Sequence, residues 1–209
     1  MTTCRRFGLA AQLAAPSPWR KEAERRLECP LDPVLAALLQ RANGGVVWEL
    51  NLYGIGNPSC ELIALNEGKR ATRKDLKRLL DFVLFCKLDY RPEYLATIPS
   101  LADARDGKQP VAYLDLNEGI KVLPIASNVD RVLDLTARCL ESMFARYGSV
   151  EDGASEERFP WDFPQEAAND DDFLRLLATG CFDRFISKEP EVIEWMVQVR
   201  GGRSRWDLH

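Results

Sequence analysis

Histidine is almost missing from this chain: one residue in 209, His209, at the end of the sequence. Ser-His-Asp and Cys-His nucleophiles need a positioned imidazole as general base, and a terminal residue is poorly placed to supply one. Histidine-based metal centres and His-Glu-x-x-His peptidases are excluded on the same ground. Long hydrophobic runs are lacking as well, with no stretch near the ~20 apolar residues that a transmembrane helix needs. An excess of positive charge is lacking: the formal net charge is -4, which argues against direct nucleic-acid binding and suits a basic partner. Paired cysteines are lacking too. Cys4, Cys29, Cys60, Cys86, Cys139 and Cys181 include no Cys-x-x-Cys, and their spacings do not make a zinc site. Their even number allows three disulfides in an oxidising compartment; free thiols in a reducing cytosol are the reading adopted, with Cys86 and Cys139 on apolar helical stripes. Neither a metal nor a cofactor is expected.

What is present is a globular chain with a hydrophobic share of 46%, long enough for one domain or one domain with an appendage. Its organising stretch is Asp32 to Tyr53. Asp32 suits a helix N-cap, because its carboxylate accepts from free N–H groups of the first turn. Pro33 suits the first helical position. Val34, Leu35, Leu38 and Leu39 form an apolar stripe at helical spacing. Asn43-Gly44-Gly45 stops the helix, and Trp48, Leu50 and Leu52 then alternate with Glu49 and Asn51 as a half-buried strand.

A short helix containing Glu22 and Glu24, the link Leu27-Glu28-Cys29-Pro30-Leu31, and a second helix ending in Asn43-Gly44-Gly45 before a strand resemble the start of the SUKH superfamily, the Smi/Knr-like proteins. Pro110-Val111-Ala112-Tyr113-Leu114-Asp115 resembles a strand that the family places late in its sheet. The resemblance covers roughly residues 18 to 145. Cys29-Pro30-Leu31-Asp32-Pro33 departs from the family's usual Leu-Gly-X-Leu-Pro-like link. Many bacterial members are immunity proteins that bind and neutralise toxins, and that is the activity the resemblance implies.

The rest of the chain reads as follows. Residues 1–16 form a mobile arm: Arg5-Arg6 and the run Phe7 to Ala15 only faintly resemble a signal peptide, since Gln12 interrupts a short, weakly apolar stretch. Ser17 caps a charged helix to about Glu28, with Trp19, Ala23 and Leu27 inward. Cys60 to Leu65 reads as a second strand pairing with the first. Gly54 and Gly56 open a Gly-x-Gly pattern, but Pro58 follows and the dinucleotide reading is set aside. Thr72 caps a helix from about Arg73 to Lys87, buried through Leu76, Leu79, Leu80, Val83 and Leu84. Lys69, Arg70, Arg73, Lys74, Lys77 and Arg78 crowd its start, either as a solvated face or as a contact for an acidic group. Residues 88 to 109 read as irregular. Val111–Leu116 and Ile120–Ile125 form a hairpin around Asn117-Glu118-Gly119. Asn128 caps a long helix to about Tyr147, with Val132, Leu135, Thr136, Cys139, Leu140, Met143 and Phe144 inward. An acidic segment follows, and its Phe159-Pro160-Trp161-Asp162-Phe163-Pro164 either docks on the chain's own domain, the preferred reading, or meets a partner. Helices capped by Asn169 and starting at Pro190 complete the chain.

The expectation is therefore an α+β fold: a single, mostly antiparallel sheet of about four to six strands covered by helices. Residues 17–148 make the SUKH-like domain, and 149–209 an acidic linker with a C-terminal helical extension. The expected function is a cytoplasmic, non-catalytic protein-binding module, with a basic nuclease-type toxin as candidate partner and no membrane or nucleic acid. Candidate contacts are Trp48, Glu49, Asn51, Tyr90, Tyr94, Asp115 and Glu118. The alternatives are a regulatory or scaffold protein acting on a cellular enzyme, and a carboxylate-based hydrolase using Asp115, Glu118 or Asp170-Asp171-Asp172.

Overall fold

The computed structural model describes residues 19–56, 61–72, 77–88 and 91–201. The expected arm at 1–16, the Ser17 cap, Cys4, Cys60, Tyr90, and Arg73 and Lys74 of the basic cluster lie outside the described residues. One antiparallel sheet occupies the centre. Its strands β1 (Gly45–Val47), β2 (Leu50–Leu52), β3 (Val83–Leu88), β4 (Glu93–Thr97), β5 (Val111–Asp115) and β6 (Lys121–Ala126) pair in chain order. Around it stand α1 (Trp19–Leu27), α2 (Pro33–Arg41), α3 (Leu62–Thr72), α4 (Val129–Tyr147), α5 (Val150–Glu156), α6 (Pro164–Ala167), α7 (Asp171–Ala178) and α8 (Pro190–Gly201). The fold is α+β with a helical C-terminal part. Among the described residues no helix is long and apolar enough to cross a membrane.

The organising stretch forms by the expected local chemistry. Asp32 Oδ1 accepts from Leu35 N at 2.8 Å and Pro33 opens α2. Asp32 is fully buried, and its second oxygen accepts from Gln109 N at 2.7 Å, so one carboxylate caps α2 and ties it to the lead-in of β5. Gly44 turns the chain after α2 with φ +88°, which favours glycine. Asn43 does more than stop the helix. Its Nδ2 donates to Ile55 O at 2.8 Å and its Oδ1 accepts from Ile55 N at 2.6 Å. Gly54 passes so close that a Cβ there would lie 2.3 Å from Asn43 O. The Asn-Gly-Gly corner is thus a clamp on the chain that leaves β2.

Several sequence expectations are corrected. Residues 45–52 are two strands joined at Trp48-Glu49, not one. Of the strand expected at Cys60–Leu65, Leu62–Leu65 are the start of α3: Glu61 Oε2 accepts from Ala64 N at 2.5 Å, and Leu62, Ile63 and Asn66 are buried at helical spacing. Of the helix expected from Arg73 to Lys87, the described residues form a 3₁₀ turn at Lys77–Asp81 followed by β3. Leu79, Val83 and Leu84 are buried as expected, but Leu80 is 65% exposed, and Cys86 lies on a strand. The irregular region contains β4 and a 3₁₀ turn at Pro99–Leu101. Phe144, expected inward, is 61% exposed, and Asp170 rather than Asn169 caps α7. The β5–β6 hairpin, α4 with its Asn128 cap, and the inward faces of α1 and most of α4 stand where they were expected. Cys29, Cys139 and Cys181 are free thiols.

Both faces of the central strands are covered, so β3 and β4 read as continuous apolar runs without alternation. Tyr94 and Leu114 share one face, and Lys69 of α3 lies 5.0 Å above the Tyr94 ring. Leu95 and Tyr113 share the other, where Trp161 packs edge-on against Tyr113 at 5.6 Å. Phe159, Phe163, Phe173, Phe182 and Trp195 belong to the same core as the sheet, so the aromatics of the acidic segment dock internally. The chain's C-terminal part also closes the β6 edge. Ser187 Oγ accepts from Val122 N at 2.8 Å and Ser187 N donates to Val122 O at 3.2 Å. Pro124, two residues on, has no N–H to offer.

Candidate functional site

A meander of six strands brings alternate turns to one end. The β1–β2 turn, Arg91 and Pro92 before β4, and the 116–120 turn therefore share an end of the sheet. Four of the sequence-selected contacts lie at that end, Trp48 and Glu49 on the β1–β2 turn and Asp115 and Glu118 at the β5–β6 turn, about four strand spacings away; Asn51 lies on β2. Tyr94 does not join them. It is 3% exposed and serves as a packing residue under Lys69. Tyr90 lies outside the described residues.

Trp48 holds φ +54°, a left-handed conformation that two-residue hairpin turns often give to Gly or Asn and that costs a bulky residue roughly 1–2 kcal/mol. Its ring stands edge-on to Phe159 at 6.3 Å. This contact joins the turn to the C-terminal part. Asn51 Nδ2 donates to Lys87 O at 3.5 Å.

On the face that Tyr113 shares, Glu93, Asp115 and Lys121 stand in cross-strand register. Asp115 accepts from Asn117 N at 2.9 Å and Asn117 Nδ2 at 2.8 Å, which fixes the turn that presents the exposed Glu118. Lys121 Nζ is 4.0 Å from Asp115, hydrogen-bonds Glu191 of α8, and lies 5.8 Å from the Trp161 ring centroid. Arg158 covers the same ring at 5.1 Å. Behind this row Tyr113 is buried, and burial pushes its hydroxyl's pKa far up, so it stays protonated.

Two clefts open at this end. The larger, about 690 Å³, is lined by Asp115, Glu118, Lys121 and Glu189 among others. The smaller, about 120 Å³, lies between Glu49, Arg91, Glu93 and the end of α5, where Glu157, Arg158 and Phe159 line it. Six carboxylates against three cations line the two clefts, which leaves this end acidic. A third cleft of about 650 Å³, near Asp103, Arg105, Lys108, Asp172 and Arg175, mixes charges of both signs.

Sequence reasoning did not single out Glu93, Arg91, Glu157 or Glu189. The first two fall in a region read as irregular, Glu157 in a segment read by its acidic composition, and Glu189 just before the helix expected at Pro190. Two residues of the basic cluster have structural partners. Arg70 donates to Leu27 O and Phe82 O, both at 3.1 Å, and Lys69 lies over Tyr94. Asp170 is buried and accepts from Ser127 N, Ser127 Oγ and Phe173 N, so it caps α7 and fastens it to the end of β6. Among the described residues no group of three or more His, Cys, Asp or Glu has the geometry to hold a metal. Compared with models of protein families and with curated protein sequences, the chain matched none.

Proposed function

We propose that this chain is a non-catalytic protein-binding module, an immunity protein of the SUKH type that binds and neutralises a cognate bacterial toxin in the cytoplasm. The observation that carries this reading is the gathering of three connections at one acidic end of the sheet, where Glu49 comes from the β1–β2 turn and Asp115 and Glu118 from the β5–β6 turn. A surface of that sign accelerates encounter with a basic protein and selects it over acidic ones. The strained Trp48 turn supports the reading, because backbone strain concentrates at functional sites. So does the structural occupation of carboxylates that would serve a hydrolase: Asp170 is engaged by three donors, and Asp115 by its own turn.

The test is a pull-down from lysate of the native organism with the tagged full chain, read by mass spectrometry. The wild type is compared with a Glu49→Lys/Glu118→Lys double variant. The expected result is a toxin fragment in stoichiometric amount with the wild type, lost with the variant, and protection of cells that co-express toxin and wild type. Recovery of a housekeeping enzyme instead would make the chain a regulatory or scaffold protein. Equal recovery by the variant would remove this end as the binding surface.

A further inference from the structure

We infer that the small cleft between the β1–β2 turn and the end of α5 is a socket for a single cationic headgroup, the guanidinium or ammonium of a partner's arginine or lysine side chain. This inference rests on the protein-binding reading above and names its anchor.

Three separate parts of the chain build the cleft. Glu49 comes from the β1–β2 turn, Arg91 and Glu93 from the entry to β4, and Glu157, Arg158 and Phe159 from the end of α5. Its volume of about 120 Å³ is well below the ~300–1,000 Å³ of pockets that enclose whole small-molecule ligands. It is a size for one headgroup. Leu88 and Phe159 also line it, and apolar walls suit the methylene stem of a long basic side chain.

One carboxylate in this cleft, Glu157, is under-supplied with donors, whereas Glu93 interacts with the Tyr113 hydroxyl. Glu157 is 6% exposed and Glu93 is 5% exposed, and burying a carboxylate is costly unless each oxygen is hydrogen-bonded. Glu157 Oε1 accepts from Arg146 of α4. Glu157 Oε2 is sealed from solvent and has no hydrogen-bond partner. The cations near the cleft do not meet that need. Arg91 is 3.6 Å from Glu93 with its side chain 54% exposed, beyond good hydrogen-bond distance. The Arg158 guanidinium covers Trp161 and reaches Glu191 at 3.9 Å. A guanidinium or ammonium entering between the turn and α5 brings several donors to the Glu157 carboxylate once a rotation of its side chain turns the sealed oxygen toward the cleft, and charge-assisted bonds of that kind are among the strongest in proteins.

The experiment uses the full chain, isotope-labelled, titrated with methylguanidinium chloride and followed by amide NMR. Saturable shifts confined to Glu49, Glu93, Ser155, Glu157 and Phe159 are expected, with tetramethylammonium, which has no N–H donor, failing to compete. Two variants accompany the wild type. Glu157→Gln removes the charge but also disturbs Arg146. Ala154→Leu narrows the cleft and leaves every charge in place. Dissociation constants at least tenfold higher are expected for both, which is a loss of about 1.4 kcal/mol or more. Shifts spread over the surface carboxylates, no saturation, or unchanged binding in Ala154→Leu would overturn the socket. Those failures leave the pull-down result untouched. Conversely, intact methylguanidinium binding with no protein captured would overturn the protein-binding reading and leave a small-cation site.

Discussion

Glu93 on β4 and Asp115 on β5 are direct cross-strand partners, so two carboxylates stand side by side on one face of the sheet. Like charges in that position oppose strand pairing. Arg91 and Lys121 flank the pair at 3.6 and 4.0 Å, too far for direct hydrogen bonds. A sheet selected only for stability would not keep this arrangement, whereas a binding surface can. Glu93→Gln is therefore expected to raise stability by about 0.2–1 kcal/mol while weakening capture of a basic partner. Urea denaturation checks the first part as a higher midpoint at unchanged slope. A lower midpoint would mean that the hydrogen bond between Glu93 and the buried Tyr113 hydroxyl outweighs the repulsion.

Two buried asparagines replace missing strand neighbours. Asn43 grips both backbone groups of Ile55, and Asn66 of α3 does the same to Leu84, with Leu84 N donating at 2.9 Å and Leu84 O accepting at 2.8 Å. Leu84 lies beside the irregularity in the β3–β4 register and beyond the reach of β2. Removing either amide leaves two buried backbone groups unmatched, at roughly 1–3 kcal/mol each. Asn43→Ala and Asn66→Ala are each expected to cost about 2–6 kcal/mol by that measure. Asn51→Ala, at a partly exposed position, is expected to stay within about 0.5 kcal/mol of the wild type. Equal losses for all three in thermal or urea melts would rule out the clamp role.

Where local chemistry decides the structure, the sequence was legible. Asp32 and Asn128 announce their helices as N-caps, Asn117-Glu118-Gly119 announces its hairpin, and Trp19, Ala23 and Leu27 announce a buried helical face. Where tertiary contacts decide, it was not. Val83-Leu84-Phe85-Cys86 is apolar on both sides because helices and the C-terminal part cover both faces, and such a run fits a helix as easily as a strand. Leu62-Ile63-Ala64-Leu65 is equally ambiguous, and the Glu61 cap with the Asn66 clamp settles it as a helix. Of the site, the turn residues could be read because turns announce themselves. Glu93 and Glu157 could not, since their meeting depends on α5 folding back over the sheet end.

Residues 149–201 contribute to the core and do not merely follow it. Phe159 meets Trp48, Trp161 meets Tyr113, Phe185 meets Phe82 at 5.7 Å, and Ser187 closes the β6 edge. Trp195 is 2% exposed, and its indole N–H donates to Pro160 O at 3.1 Å. Trp195→Ala is expected to cost about 3–5 kcal/mol, the usual range for a buried tryptophan, in a single unfolding transition. A chain ended at Gly148 is expected to expose Tyr113 and Phe82, bind a hydrophobic dye, and fail to give a cooperative melt. A cooperative melt of that truncated chain, close to the full chain's, would show that 17–148 is an autonomous domain.

Asp32 supplies a pH dependence with a definite sign. Burial, the largest influence, raises its carboxyl above the ordinary value of 3.8, while the N–H groups of Leu35 and Gln109 pull it back down. The folded chain therefore holds this proton at a pH where the unfolded chain has released it. Its contribution to stability is fully present below the unfolded value and is lost as the pH rises through the raised folded value. Asp32→Asn cannot titrate and lacks this loss. The stability of the wild type relative to Asp32→Asn is thus expected to fall as the pH rises from below the ordinary carboxyl value of 3.8 through the raised folded value, whatever fixed cost the variant carries from its altered bond to Gln109. Urea denaturation of both proteins across that range measures the difference. If the wild type instead gains on the variant as the pH rises, the two backbone donors outweigh burial, and the folded carboxyl lies below its ordinary value.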